Sequence, residues 1–279
     1  MTGGRVARGG AILFGVLLLF LLFSYLLFPT ERIDSIINQT LARQGVTLAP
    51  AVHKTMLPGL AWDKLLLSSE QGPLFASDRL QIRLHLLPLL TGRVVVGASA
   101  SIGGGELDLR TGVTGKTALE LSADGIPLAG IPFFKSVMGA KTMGGIFWSR
   151  GTLLRSVQGI SGDVKLEIKQ LEFSGIKLGD FPLPDAANMK AQGIVRVTNG
   201  RARVESFTLE SDGLYMRLSG DLPVENIGGT PLSMKLEIMP KAELLEKQKL
   251  VFLMLTKFMV SPGVYNVPVS GTLLKPVIR

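Results

Sequence analysis

Residues 199–218, NGRARVESFTLESDGLYMRL, decide the fold of this chain. The dipeptide Asn199-Gly200 is the strongest hairpin signal in the sequence, because both residues accept the positive φ of a tight two-residue turn. Asp212-Gly213 gives a second turn signal. After it, apolar and polar residues alternate in the order Leu214, Tyr215, Met216, Arg217 and Leu218. This period of two predicts a strand with one apolar face and one polar face.

The same alternation recurs through the rest of the chain. Residues that share an apolar face by this pattern are Leu80, Ile82, Leu84 and Leu86, then Val164, Leu166 and Ile168, and then Leu232, Met234, Leu236 and Ile238. Strands of this kind are typical of antiparallel sheets with one wet face. The 33 glycines and 15 prolines favour short strands joined by tight turns. The sequence therefore predicts a mainly β protein with one long antiparallel sheet.

A different signal lies at residues 11–28, AILFGVLLLFLLFSYLLF, which carry no charge. At about 1.5 Å per residue this segment spans roughly 27 Å as a helix, close to the hydrocarbon thickness of a bilayer. We therefore predict a transmembrane anchor, with the apolar side chains Ala11, Phe14, Leu17, Leu18, Leu21, Leu22 and Phe28. The alternative is a cleaved signal peptide, which has a shorter apolar core and a small-residue cleavage site.

The charges that flank this segment predict its orientation. Arg5 and Arg8 precede it without an acidic residue, whereas residues 30–34 carry one arginine and two acids. Cationic flanks stay in the cytoplasm, so we expect a cytoplasmic N-terminus. The predicted division is a stub at 1–10, the anchor at 11–28, an amphipathic exit helix at 29–45 and a β-rich domain at 46–279 on the far side. The exit helix has Thr30 as its cap, an apolar face of Ile33, Ile36, Ile37 and Leu41, and Gly45 as its end.

Two segments interrupt the alternation. Residues 131–148 are rich in methionine, glycine and aromatic residues, and residues 242–260 have a helical composition with six consecutive apolar residues. That apolar run is too short to cross a bilayer. We expect each segment to be a helix packed over one end of the sheet. A lid, or an element that touches a membrane, is the second interpretation of both segments.

The sequence carries no complete catalytic or metal-binding motif. It has no cysteine, and its two histidines, His53 and His85, are far apart in the chain. Ser174 and Lys177 have the spacing of a penicillin-binding nucleophile pair but lack the companion motifs. The net charge of +8 is scattered without a basic tract, which argues against nucleic acid. We therefore expect no enzymatic activity, no cofactor and no bound metal.

A long sheet must cover its apolar face, yet the sequence predicts few helices to cover it. Either the sheet curls on itself or another molecule covers the remainder. The residues of such an apolar groove would be Ile82, Leu84, Val164, Leu166, Ile168, Leu214, Met216, Leu218, Leu232, Met234 and Leu236. An apolar groove anchored to a membrane fits a lipid conduit, and an open strand edge fits docking of another subunit.

Several segments resemble a known family. The segments 193–200, 207–211, 214–220 and 232–238 with Pro240, together with 265–276 (YNVPVSGTLLKP), are similar to the type II secretion system protein N family. The anchor, the exit helix and residues 89–96 (LLTGRVVV) also resemble AsmA-like proteins, to which that family is related. The resemblance implies an inner-membrane protein of a Gram-negative bacterium whose periplasmic sheet curves into a half-pipe with a few short capping helices. It implies no catalytic residues.

Two functions follow as expectations. The first is a non-enzymatic, inner-membrane accessory component of type II secretion that acts through periplasmic contacts with other secretion subunits or with itself. The second is an AsmA-like protein that binds or transfers lipids in an apolar β-groove. Membrane lipids are expected partners in both cases.

Overall fold

The computed structural model describes residues 30–55, 58–89, 91–113, 115–223 and 229–278. The predicted anchor at 11–28, together with Arg5 and Arg8, lies outside these residues and stays a prediction. Within the part of the chain that is described, no helix is both long enough and apolar enough to cross a membrane.

The helical elements of the described chain are short. They are α1 (Thr30–Ala42), α2 (Leu86–Leu89), α3 (Phe133–Ser136), α4 (Ala242–Lys247) and α5 (Lys249–Leu255), with 3-10 turns at Leu128–Gly130 and Thr256–Phe258. The strands are β1 (Val46–Ala49), β2 (His53–Lys54), β3 (Gly59–Ser69), β4 (Gly72–His85), β5 (Val95–Ile102), β6 (Gly105–Gly112), β7 (Thr117–Pro127), β8 (Thr142–Ser156), β9 (Gly159–Ser174), β10 (Lys177–Leu178), β11 (Phe181–Pro182), β12 (Ala186–Thr198), β13 (Arg201–Glu210), β14 (Leu214–Leu222), β15 (Ser233–Pro240), β16 (Met259–Ser261), β17 (Val264–Gly271) and β18 (Pro276–Ile278).

Among the described residues, sixteen strands form one antiparallel sheet. Its order is β1-β3-β4-β5-β6-β7-β8-β9-β12-β13-β14-β15-β17-β16, with β2 beside β3 and β18 beside β17. Strands β10 and β11 pair with each other apart from this sheet. The prediction of a mainly β protein with one long antiparallel sheet is confirmed.

Two tight turns of the sheet contain glycine, and the one at Asn199-Gly200 lies where the sequence predicts it. Asn199 and Gly200 join β12 to β13 with φ of 51° and 81°. Gly103 and Gly104 join β5 to β6 with φ of 56° and 92°. Two consecutive residues at positive φ match the right-handed twist of the strands that they join. These turns therefore hold sequence neighbours side by side.

Bulges keep the apolar residues on one face where the alternation in the sequence breaks. In β13, Val204 and Phe207 are three residues apart, yet both belong to the apolar face because the register shifts between them. In β9, the register shift against β8 and a φ of 52° at Gln170 bring Ile168 and Leu171 to the same face. A bulge places two residues opposite one, and this restores the alternation beyond it.

The buried side chains gather on that face. The largest cluster underlies the C-terminal half of the sheet and includes Met189, Ile238, Leu255 and Val267. Smaller clusters of described residues lie around Ala100 and Ala123 and around Trp62, where Ile37 of α1 also packs. Ile36 of the same helix is instead exposed.

Three local predictions need correction. The helix predicted at 131–148 is wrong beyond Ser136. Residues Thr142–Trp148 instead belong to β8, and most of them pair with residues of β9. Leu86, expected on the apolar face of a strand, lies exposed in α2. The helix expected at 242–260 is interrupted at Gln248 and ends near Leu255, since Met259 and Val260 form the edge strand β16.

The core position Ile238 tests this arrangement. Ile238 is 0% exposed, so Ile238→Ala removes buried methyl groups and leaves a cavity. We expect a loss of about 2–5 kcal/mol in the free energy of unfolding, measured by urea titration of the full chain in mild detergent. The matched change Ile194→Ala, at a residue 37% exposed on the opposite face, should cost no more than about 0.5 kcal/mol. Equal losses at the two positions would contradict the assignment of the faces.

Candidate apolar binding site

Strand pairing aligns apolar residues across the whole sheet. One row of directly opposed residues crosses twelve strands, from β3 to β17. This central row consists of Trp62, Leu80, Ala100, Leu107, Ala123, Ser149, Leu166, Gly193, Phe207, Leu218, Leu236 and Val267. Ser149 is its one polar member, and its hydroxyl donates to the backbone oxygen of Lys165 at 3.0 Å.

Two further rows lie beside the central row on the same face. The second row is Leu60, Ile82, Ala98, Leu109, Leu121, Gly151, Val164, Val195, Val204, Gly220, Met234, Val269 and Ile278. The third row is Leu84, Val96, Thr111, Leu119, Leu153, Gly162, Val197, Ala202 and Leu222. None of these side chains is charged, and the one hydroxyl among them, that of Thr111, donates to the backbone oxygen of Ala118 at 2.9 Å. Apart from Thr111 and Ser149, the face is apolar.

The residues that the sequence assigned to a groove all lie on this face or at its rim. Leu166, Leu218 and Leu236 belong to the central row, Ile82, Val164 and Met234 to the second, and Leu84 to the third. Ile168 and Met216 lie in an adjoining register that also holds Phe147, Ala191, Leu209 and Ile238. Leu214 is buried opposite Pro240, and Leu232 donates its amide to Gly271 just before β15.

The C-terminal half of this face lies under other elements, which leave a cavity of about 320 Å³. All of the residues that line this cavity are apolar. Its sheet side includes Ile168, Met216, Leu218, Met234 and Leu236. It is also lined by side chains from outside the long strands, among them Phe133, Phe134, Met138, Ile176, Leu178 and Leu183. The cavity is near the lower end of the volume range of small-molecule sites and offers no side chain for a polar group.

The middle of the face has no comparable cover. Eleven apolar residues there are half-buried and belong to none of the three buried clusters of the described chain. We call them the open band: Leu84, Val96, Ala98, Leu109, Leu119, Leu121, Leu153, Val164, Leu166, Val195 and Val197. They extend from β4 to β12, six steps between strands, or about 29 Å at about 4.8 Å per step.

The opposite face of the same strands is charged. Arg196 donates from Nε to Asp163 Oδ1 at 3.0 Å and from Nη1 to Glu205 Oε1 at 3.3 Å. The hydrogen bond to Asp163, with the charges of both carboxylates, raises the pKa of Arg196. Exposed pairs of this kind contribute little to stability, so their main effect is to keep this face in water. The two faces therefore differ sharply in the solvent that they favour.

Gly193 shapes the sheet where the open band meets the covered half. A Cβ at this position would lie 2.7 Å from Cδ2 of Phe207, the next residue in the central row. Phe207 also lines the cavity. The phenyl ring therefore packs over the bare backbone of Gly193, and the glycine leaves the space that the ring occupies.

Among the described residues, the candidate reactive side chains meet only in pairs. No three acidic or histidine side chains there are close enough to hold a metal ion. His53 lies 3.6 Å from Asp63, whereas His85 is opposite Val95. The hydroxyl of Ser174 is 2.7 Å from that of Thr142.

Comparison of the chain with protein families, with curated proteins and with solved structures finds no match.

Sequence reasoning missed part of the site. The residues of the open band that it left out are Val96, Ala98, Leu109, Leu119, Leu121, Leu153, Val195 and Val197. Yet Leu107 and Leu109 alternate with charged residues, as Leu119 and Leu121 do with polar ones. That short alternation was a usable signal. Phe133, Phe134 and Met138 had no such signal, because their position over the sheet depends on long-range packing.

Gly193 provides a test of this geometry. In Gly193→Ala the new methyl group would clash with the ring of Phe207 at 2.7 Å and with the backbone oxygen of Ser206 at 2.8 Å, and we expect a loss of about 1–3 kcal/mol in the free energy of unfolding. Gly213→Ala is the matched control, since the nearest atom to its Cβ is 4.0 Å away. Urea titration of both variants measures the difference. A Gly193→Ala protein as stable as the Gly213→Ala protein would contradict the packing of Phe207 on Gly193.

Proposed function

We propose that this protein binds the acyl chains of lipids along the apolar face of its sheet. The open band is the observation that carries this proposal. Soluble monomers rarely expose contiguous apolar patches larger than a few hundred Å². The open band spans three adjoining rows and lies outside the buried clusters, so it is suited to a hydrocarbon ligand.

The dimensions of the band suit an acyl chain. The hydrocarbon core of a bilayer is about 30 Å thick and contains two opposed layers, so one layer measures roughly 15 Å. The band, at about 29 Å, is long enough for an extended chain to lie along it. Removing about 200 Å² of this surface from water would contribute roughly 5 kcal/mol at about 25 cal/mol per Å².

The chemistry of the face selects against polar ligands. The open band has no charged side chain, and the adjoining cavity is lined by apolar residues alone. A ligand with buried polar groups would leave them without partners, at a cost of about 1–3 kcal/mol for each group. The favoured ligand therefore places a hydrocarbon chain in the groove and leaves its polar headgroup in water.

The groove would act in the cellular setting that the sequence predicts. In it, residues 11–28 anchor the chain in a bacterial inner membrane, residues 46–279 lie in the periplasm, and the sheet curves into an AsmA-like half-pipe. The anchor would hold the groove close to a source of lipid. The resemblance to AsmA-like proteins at the N-terminal end supports this arrangement, and the apolar rows support the groove.

Photo-crosslinking in living cells tests lipid binding. We expect that a benzophenone amino acid at Leu121, in the open band, gives a lipid adduct detectable by mass spectrometry of the full chain. The same group at Glu120 should give none, because neighbouring residues of a strand point to opposite faces. Lipid adducts at neither position, or at both equally, would refute the proposal. Adducts of Leu121 with protein alone would also refute it.

A second candidate is an accessory role in type II secretion through protein contacts. Strand β1 supports it, because among the described residues β1 ends the sheet and pairs only with β3, so that no strand lies along its other edge. An open edge accepts a strand from a partner through backbone hydrogen bonds. The resemblance of residues 193–276 to the type II secretion system protein N family points to the same role.

Deletion of the gene tests this second candidate. We expect reduced export of at least one type II substrate, because loss of a docking subunit weakens assembly of the machine. The measurement is the level of each substrate in the culture medium, with restoration by the wild-type gene as the control. Normal export of every substrate would exclude this role and leave lipid binding unaffected.

A further inference from the structure

The outer side of α5 and the adjoining edge strand β16 expose large apolar side chains. These are Leu250, Leu253, Met254, Met259 and Val260, which we call the α5–β16 patch. Leu250 and Leu253 are 77% and 70% exposed. The patch lies outside both the open band and the cavity, so the function proposed above does not account for it.

The patch is held on a fixed support. Phe252 and Leu255, on the opposite side of α5, are buried, and the ring of Phe252 lies 5.5 Å from that of Tyr265. At the start of the helix, Gln248 donates from Nε2 to the backbone oxygen of Asp185 and accepts the amide of Asp185 at Oε1, both at 2.8 Å. The exposed residues 250, 253 and 254 therefore share one side of a helix that is packed in place.

The charged residues of α5 and of the segment up to Tyr265 are all lysines, while Asp180 and Asp185 lie on the neighbouring segment that contacts Lys257 and Gln248. Lys247, Lys249 and Lys257 are exposed, and the sequence from 247 to 265 contains no acidic residue. The ammonium group of Lys257 lies 4.6 Å from the ring centre of Phe258 and 4.3 Å from that of Phe181. The nearest acids along the chain, Glu243 and Glu246, belong to the preceding helix α4. The patch thus combines leucine and methionine side chains with a border of cations.

We infer that the α5–β16 patch binds the surface of a membrane that contains anionic phospholipid. Leucine side chains on one side of a helix with lysines beside them are the composition of interfacial membrane helices. Long lysine side chains can extend to headgroup phosphates while the apolar residues enter the acyl boundary. Helix α5 has seven residues and a length of about 10 Å, so it lies in the interface and does not cross the bilayer.

The position of the patch makes this a second attachment point. Helix α1 packs near the first strands of the sheet, whereas α5 and β16 adjoin the last ones. Thirteen steps between strands separate β1 from β16, roughly 60 Å along the sheet at about 4.8 Å per step. Binding at the patch therefore depends neither on the predicted anchor nor on the molecule that fills the open band.

Vesicle flotation of the full-length protein in zwitterionic nanodiscs tests the inference. We expect the protein to float with added vesicles of 30% phosphatidylglycerol and 70% phosphatidylcholine, and only weakly with phosphatidylcholine alone. Leu250→Glu with Leu253→Glu should abolish flotation. Lys247→Gln, Lys249→Gln and Lys257→Gln should each weaken it about fivefold, and 0.5 M salt should reduce it in the wild type.

The β8–β9 turn offers a matched control. Leu154 and Val157 are exposed and three residues apart, as Leu250 and Leu253 are, so Leu154→Glu with Val157→Glu adds the same charges elsewhere. Because the chain has no cysteine, a fluorophore at Leu253→Cys reports on the patch alone, and Val157→Cys is its control. We expect an emission shift toward the blue at position 253 only. Flotation that is equal in the two double variants, an unshifted emission at 253, or self-association of the protein through the patch without vesicle binding would each overturn the inference.

Discussion

The fold depends on keeping one register across many strands. Side chains alternate between faces with a period of two, so a slip of one residue between two strands would move a whole strand's apolar set into water. The central row shows how far this register is maintained, since it runs without interruption from Trp62 to Val267. Where the alternation of apolar and polar residues breaks, as between Val204 and Phe207, a bulge returns the next apolar side chain to the same face. Clusters, cavity and open band all follow from this alignment.

The same constraint explains the chemistry of the two faces. The extra residue of a bulge can form polar contacts on the outer face. Glu205, at the irregularity in β13, forms an ion pair with Arg196 there. The outer face keeps its charges exposed, where they are easily hydrated. The inner face carries no compensating charge, so any ligand there must be held by apolar contact and shape. The short side chains of Ala98, Ala100 and Ala123 project less far from the sheet than those of the neighbouring leucines.

Local patterns predicted the strands well, because alternation and turn chemistry are properties of short segments. The Asn199-Gly200 turn and the apolar positions of β9, β14 and β15 follow directly from the sequence. The segment at 131–148 did not, because its methionines and glycines are equally compatible with a helix. Pairing of Thr142–Trp148 with β9 decides its structure, and that pairing is not visible locally. Sequence patterns likewise identified apolar positions but could not show which of them the short helices and β10–β11 would cover.

Most strands of the sheet pair with the strand that immediately precedes or follows them in the chain. Contacts of such low sequence separation allow each hairpin to add to those already formed, as in repeat proteins whose units touch only their neighbours. A chain that is released progressively from its N-terminal end could therefore begin to fold before its last strands arrive. The same arrangement makes the length of the apolar face adjustable, because inserting or removing one hairpin would change it by about 9.6 Å without disturbing distant pairings.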